Sequence, residues 1–209
     1  RETFAAIRAQ RPSRLLIVAD GPRPGHPTDT ENCRQTREIV AQIDWPCEVQ
    51  RNYADENMGC KRRVSSGLDW VFSQVESAII LEDDCLPHPD FFTYCEALLT
   101  RYATDERVAV ITGNNFQDGH RRGAASYYFS RFNHCWGWAT WRRAWQKYQV
   151  DMPYWPVWKE SADWRRKTPD RVERAVFSDL FDRVSRGGID TWDYQWTACV
   201  WYHGGLTAT

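Results

Sequence analysis

The chain has 209 residues, a formal net charge of −1, a mean hydropathy of −0.66, and 42% hydrophobic and 26% charged residues. That length carries one full-sized domain with a real core. The near-zero charge gives no general electrostatic reason to hold nucleic acid or an anionic membrane, and no apolar run approaches the roughly 18 residues of a membrane span.

In chain order, Glu2–Gln10 reads as a short helix that Pro12 ends. Arg14–Ala19 is a continuous apolar run of strand length, closed by Asp20-Gly21-Pro22. A run apolar on both faces suits a buried parallel strand. A turn-rich stretch precedes a helix near 29–43, a strand over 47–53 and a helix over 57–75. A second buried strand, 77–81, runs straight into Glu82-Asp83-Asp84. A helix over 87–102 and a third buried strand over 107–112 follow. Repeated alternation of helix and strand predicts an α/β fold with a mainly parallel sheet. Ligands in such sheets bind beyond the carboxyl ends of the strands, so the acids after 14–19 and 77–81 open onto one edge.

After Gly113 the character changes. A polar loop leads to 126–131, which is compatible with a strand. In the aromatic stretch 135–148, Trp138, Trp141 and Trp145 fall at helical spacing. A Pro/Trp-rich linker, a charged helix near 169–186 and a helix over 191–201 complete the chain. Twelve tryptophans, ten of them between Trp136 and Trp201, exclude disorder. Each indole brings an N–H that needs a partner. Most of these rings must be core, and two or three are expected on a ligand surface, where a flat ring packs on a sugar or nucleobase. The chain thus reads as one domain with a sheet half, 1–115, and an aromatic-rich helical half, 116–209.

The seven cysteines are odd in number and widely spaced, and no C-x-x-C occurs. That argues against a disulfide framework or zinc site and for free thiols in a reducing compartment. The expected location is cytoplasmic, or peripheral to the membrane.

Three adjacent acids after an apolar strand repel one another unless a cation sits among them. A hard divalent ion such as Mg²⁺ or Mn²⁺ often takes one or two carboxylates plus ligand phosphates. The competing role is capping of the helix that follows. Lys61-Arg62-Arg63 opposes the dipole of its own helix start, which fits either an anionic ligand such as a diphosphate or a solvated basic turn. In I-D-T-W-D-Y-Q-W, Asp190 begins a helix well as a cap. Asp193 lies inside the aromatic cluster, where desolvation suits a general base.

The ordered series V-A-D-G (18–21), R-R-V-S-S-G-L-D-W-V-F (62–72), I-I-L-E-D-D-C-L-P-H-P-D-F-F-T-Y (79–94), I-T-G-N-N (111–115), W-G-W-A-T-W-R-R-A-W (136–145) and W-D-Y-Q-W (192–196) resembles nucleotide-sugar glycosyltransferases of the GT-A fold. Within them it is most similar to the N-acetylglucosaminyltransferase I family and its bacterial relatives. The resemblance implies a GT-A, Rossmann-like single domain in which Asp84 binds Mn²⁺ (or Mg²⁺). Glu82 and Asp83 contact the nucleotide ribose or position the metal. Asp20 reads the uracil edge, and Arg63 and Arg1 lie beside the donor. Asp193 deprotonates the acceptor hydroxyl. Trp136, Gly137, Trp138 and Trp192 lie near donor sugar and acceptor. The chain departs from the family pattern in lacking a strand before Arg1, in stopping at Gly-Gly-Leu-Thr-Ala-Thr, and in carrying Tyr194 where an acid is common. It therefore reads as a catalytic core truncated at both ends.

The expected activity is metal-dependent, inverting transfer of a sugar from a UDP-sugar to a saccharide or other hydroxyl acceptor. A sugar nucleotidyltransferase would share sheet and metal but release pyrophosphate. A non-catalytic carbohydrate-binding protein would explain the tryptophans and leave the acidic strand end unexplained.

Overall fold

The computed structural model describes residues 1–121 and 123–209. The first part alternates as predicted: α1 (Glu2–Gln10), β1 (Arg14–Ala19), α2 (Pro27–Ala41), β2 (Glu48–Tyr53), α3 (Cys60–Gln74), β3 (Ser77–Ile80), α4 (Pro89–Arg101) and β4 (Val108–Thr112). Then come β5 (Phe129–Ser130), β6 (Trp138–Trp141), α5 (Arg142–Trp145), α6 (Trp155–Trp158), α7 (Ala162–Lys167), α8 (Arg171–Ser185), α9 (Asp193–Tyr202) and β7 (Leu206–Ala208). Local chemistry sets several starts. Pro89 opens α4 behind His88, whose Nδ1 accepts the Asp90 N–H at 3.3 Å, and Asp170 caps α8 by accepting the Glu173 N–H at 2.8 Å.

Strands β1 and β2 pair in parallel, and β3-β6-β4-β7-β5 form a second sheet. Parallel order holds for β1–β2 and β4–β7. However, β6 runs against both β3 and β4, and β5 runs against β7, so the sheet is mixed rather than mainly parallel. The insertion of β6 corrects the helix suggested by Trp138, Trp141 and Trp145. Residues 138–141 are extended and only 142–145 are helical. The strand is buried on both faces, so it shows no polar alternation that would betray period two. Trp138 falls on one side, in a cluster with Trp145, Trp192 and Trp196. Ala139 and Trp141 fall on the other, with Phe91, Leu98 and Ile111.

Nine of the ten tryptophans between 136 and 201 are buried, so the ligand-surface role expected for two or three contracts to one. Their N–H groups are largely matched. Trp145 donates to Asp69 (2.8 Å), Trp155 to Asp182 (2.7 Å), Trp158 to Asp163 (2.8 Å) and Trp164 to Ser178 (3.1 Å). The larger core cluster also draws Leu68, Phe72, Ala109 and Val110 from the first half of the chain. All seven cysteines are free, and among the described residues no helix is long and apolar enough to cross a membrane.

Candidate active site

The sheet register assembles the site. Strand β3 ends at Ile80, which pairs with Trp138, and Thr112 near the end of β4 pairs with Trp138 as well. Residues 136–137, which precede β6, therefore lie at the carboxyl edge of β3 and β4, where Glu82 emerges. The Gly113 N–H bonds the Gly137 carbonyl (3.1 Å), and the Thr112 hydroxyl bonds the His134 carbonyl (3.1 Å). Gly137 takes φ +85° against Phe91 and Leu81, a conformation that other residues adopt at a cost.

Residues 82–85 form a tight turn, in which the Cys85 N–H returns to the Glu82 carbonyl (3.1 Å). Helix α1 holds it from outside, because the Thr3 hydroxyl bonds the carbonyls of Asp83 (2.9 Å) and Cys85 (2.7 Å). Arg1, two residues earlier, is the exposed N-cap of α1. Asp83 and Asp84 are exposed and Glu82 is half-buried. Burial pushes the Glu82 acid up to about 7; the charge of Asp84 adds to this, a hydrogen bond from Trp192 opposes it, and Asp193 and Asp83 add further. Glu82 thus feels acids from both halves of the chain at once.

Asp193 is the first residue of α9. The Thr191 hydroxyl donates to its Oδ1, and the Cys135 thiol lies 4.0 Å from its Oδ2. Burial pushes that thiol up to about 12, with the Asp193 and Glu82 charges adding. It is a protonated neighbour, not a thiolate nucleophile.

The other expected residues divide. Trp136 is 55% exposed on the site edge. Trp138 and Trp192 are buried and stacked, with centroids 5.5 Å apart. Strand pairing for one and core packing for the other withdraw their ring faces from a bound sugar, which corrects their expected surface role. Trp192 reaches the site through its N–H, on Glu82. Arg63 is buried as well. Its guanidinium donates to the Asn52 carbonyl and side chain, both at 2.8 Å, and its Nε has no partner. It braces β2 against α3 instead of pointing into the acidic cluster.

Asp20 accepts the N–H groups of Gly21 (2.9 Å), Met58 (2.9 Å) and Gly59 (3.2 Å) and the side-chain amide of Asn57 (2.9 Å). Four donors match the lone pairs of a carboxylate, so a nucleobase would have to exchange with one of them. An open depression of about 450 Å³ lies beside this loop, between Pro22–Pro27 and Asp55–Glu56, beyond the ends of β1 and β2.

Sequence reasoning missed the role of Asp190. It does not cap α9; it accepts the first N–H groups of α3, from Cys60 and Lys61, both at 3.1 Å. The sequence pattern starts α3 at residue 57, whereas its N-cap is Gly59, which has no side chain to cap with.

Among the described residues no three His, Cys, Asp or Glu side chains are gathered to hold a metal ion by themselves. A hard cation that takes one or two carboxylates and completes its shell with phosphate and water needs no such group. The exposed all-oxygen pair Asp83–Asp84 fits that need, and the Cys85 thiol lies 3.6 Å from Asp84 Oδ1.

An acidic strand-end turn and a helix-borne acid thus share one edge of an α/β sheet. Comparison with known families gives the class: residues 50–187, about two thirds of the chain, match the GNT-I family, and the chain belongs to it. It is therefore a glycosyltransferase, with a nucleotide-sugar donor and an acceptor. The matched segment contains Arg63, Glu82–Asp84 and Trp136–Trp138; Arg1, Asp20, Trp192 and Asp193 lie outside it. No curated protein matches the chain.

Proposed function

We propose that the chain transfers a sugar from a UDP-sugar to a hydroxyl acceptor with inversion, in a GT-A-type site that uses a divalent cation. The observation that carries this reading is that Asp193 meets the thiol of Cys135, just before the 136–137 stretch at the carboxyl edge of β3 from which Glu82–Asp84 emerge, so that Glu82 feels the charges of Asp84 and Asp193 together. In one displacement the acceptor oxygen attacks the anomeric carbon, the bond from that carbon to the diphosphate oxygen breaks, and UDP leaves. Asp193 accepts the hydroxyl proton. The Thr191 hydroxyl occupies its Oδ1, so the proton would go to Oδ2, whose neighbour is the weak Cys135 thiol donor at 4.0 Å. Asp84, with Asp83 beside it, would hold Mn²⁺ or Mg²⁺, which when bound offsets charge on the departing diphosphate. Glu82 supports the turn and Trp136 offers its indole face to sugar or acceptor. Arg1 and Asp20 flank the nucleotide. The free thiols suit a reducing, cytoplasmic setting.

The test is calorimetry against a panel of nucleotide-sugars with Mn²⁺, followed by product analysis. UDP release with an inverted product is expected. Pyrophosphate release would point to nucleotidyl transfer, and glycan binding unaffected by EDTA without donor binding would overturn the enzymatic site.

A further inference from the structure

We infer that Asp190 is a positioning residue: it fastens the donor-side loop 57–61 to the start of α9 and so sets the Asp193 carboxylate against the acidic turn. The inference rests on reading Asp193 as the base.

Four successive backbone N–H groups, those of Met58, Gly59, Cys60 and Lys61, point at two carboxylates. The first two go to Asp20, at the end of β1, and the last two to Asp190, from 129–130 residues further along the chain. The grip on α3 is bidentate, with one Asp190 oxygen per N–H, and a charged acceptor at a helix start is favoured by the dipole. Gly59 is built around it. Its φ is +78°, and a Cβ there would lie 2.7 Å from Asp190 Oδ2. Cys60 records the convergence, because burial raises its thiol and the charges of Glu82, Asp190, Asp193 and Asp20 raise it further.

The link from Asp190 to Asp193 is short and stiff. The Thr191 N–H bonds the Ile189 carbonyl (3.1 Å), the Thr191 hydroxyl bonds Asp193, and Gln195 Nε2 bonds the Thr191 carbonyl (2.6 Å). Gln195 is buried, and the Trp192 carbonyl accepts from the Tyr148 hydroxyl (3.2 Å). A segment pinned this way moves as a unit, so releasing Asp190 shifts the acid three residues on.

A cap that served stability alone would leave the geometry of Asp193 untouched, and the experiment separates the two. In the full chain, amide hydrogen exchange is measured for the wild type, Asp190→Ala, Asp190→Asn, Gly59→Ala and the Gly59→Ala/Asp190→Ala double variant. The expected result is faster exchange, by about tenfold or more, at Cys60 and Lys61 and also at Trp196, whose N–H closes the first turn of α9 on Trp192. Asp190→Asn, which keeps one acceptor oxygen, falls between. Gly59→Ala reproduces Asp190→Ala, and the double variant is no worse than either. Acceleration confined to residues 60 and 61 overturns the inference. In parallel, UDP release from UDP-N-acetylglucosamine with Mn²⁺ is measured per molecule that binds UDP. Asp190→Ala is expected to lose about tenfold or more in kcat with less than about threefold change in UDP Kd. Asp193→Asn separates the two readings. If it keeps wild-type kcat, the base assignment fails and exchange alone judges the coupling; if it is inactive while Asp190→Ala has wild-type kcat, the positioning role fails alone.

Discussion

Acidic residues lead two different lives in the two regions of this molecule. Around the tryptophans of the helical half, Asp163 and Asp182, with Asp69 reaching in from α3, take indole N–H groups from Trp158, Trp155 and Trp145, and are spent on letting large rings be buried. At the carboxyl edge of β3, Asp83 and Asp84 stay exposed, and Glu82 alone is claimed, by Trp192. The difference teaches how to read an acid-rich, tryptophan-rich chain. A carboxylate spent on an indole away from other acids is packing, whereas a group of carboxylates held together, as Glu82 is with Asp84 and Asp193, is a candidate for chemistry.

Substitutions can break that distinction. The largest effect is expected at Asp193→Ala, which should lower turnover by about 10²–10⁴-fold, as loss of a general base does. Asp84→Ala should fall in a similar range, while its urea midpoint stays near wild type. Loss of stability with full activity in either variant would move it into the packing class. Next comes the contrast of two tryptophans two residues apart. Trp138→Ala should destabilise by about 3–5 kcal/mol, whereas the exposed Trp136→Ala should stay within about 0.5 kcal/mol and act on KM. Urea unfolding checks both, and equal losses would erase the contrast.

The acid of Glu82 gives a smaller, pH-linked effect. Its affinity for a proton is raised on folding, so the folded state binds more protons than the unfolded one between the ordinary carboxylate range and about 7. The contribution of Glu82 is constant below that window and is lost as pH rises through it. Unfolding in chelator should show this slope in the wild type and not in Glu82→Gln; equal slopes would contradict the burial argument. The smallest effect is a control far from the edge. Asp170→Ala removes the cap of α8 and should cost about 1 kcal/mol with no change in turnover.

The legible parts of the chain were those with local causes. Strands β1, β3 and β4 are apolar runs, and the acidic turn declared itself by following one of them. The placement of β6 was hidden because Trp138, Trp141 and Trp145 satisfy helical spacing while standing on opposite faces of a strand and in the helix after it. Burial of Trp138, Trp192 and Arg63 was equally hidden, since a motif gives a residue's neighbourhood and not the direction of its side chain. The role of Asp190 depends on a partner at the other end of the chain, which no local pattern encodes.

The sheet order carries a consequence for how such a protein can change over time. Strand β6 comes from the tryptophan-rich half yet sits between β3 and β4 of the other half. A recombination breakpoint near residue 115 would part β5, β6 and β7 from β3 and β4, take out the strand that joins those two, and unroof the shared core. The two halves are therefore not interchangeable cassettes: neither holds a complete sheet or core without the other.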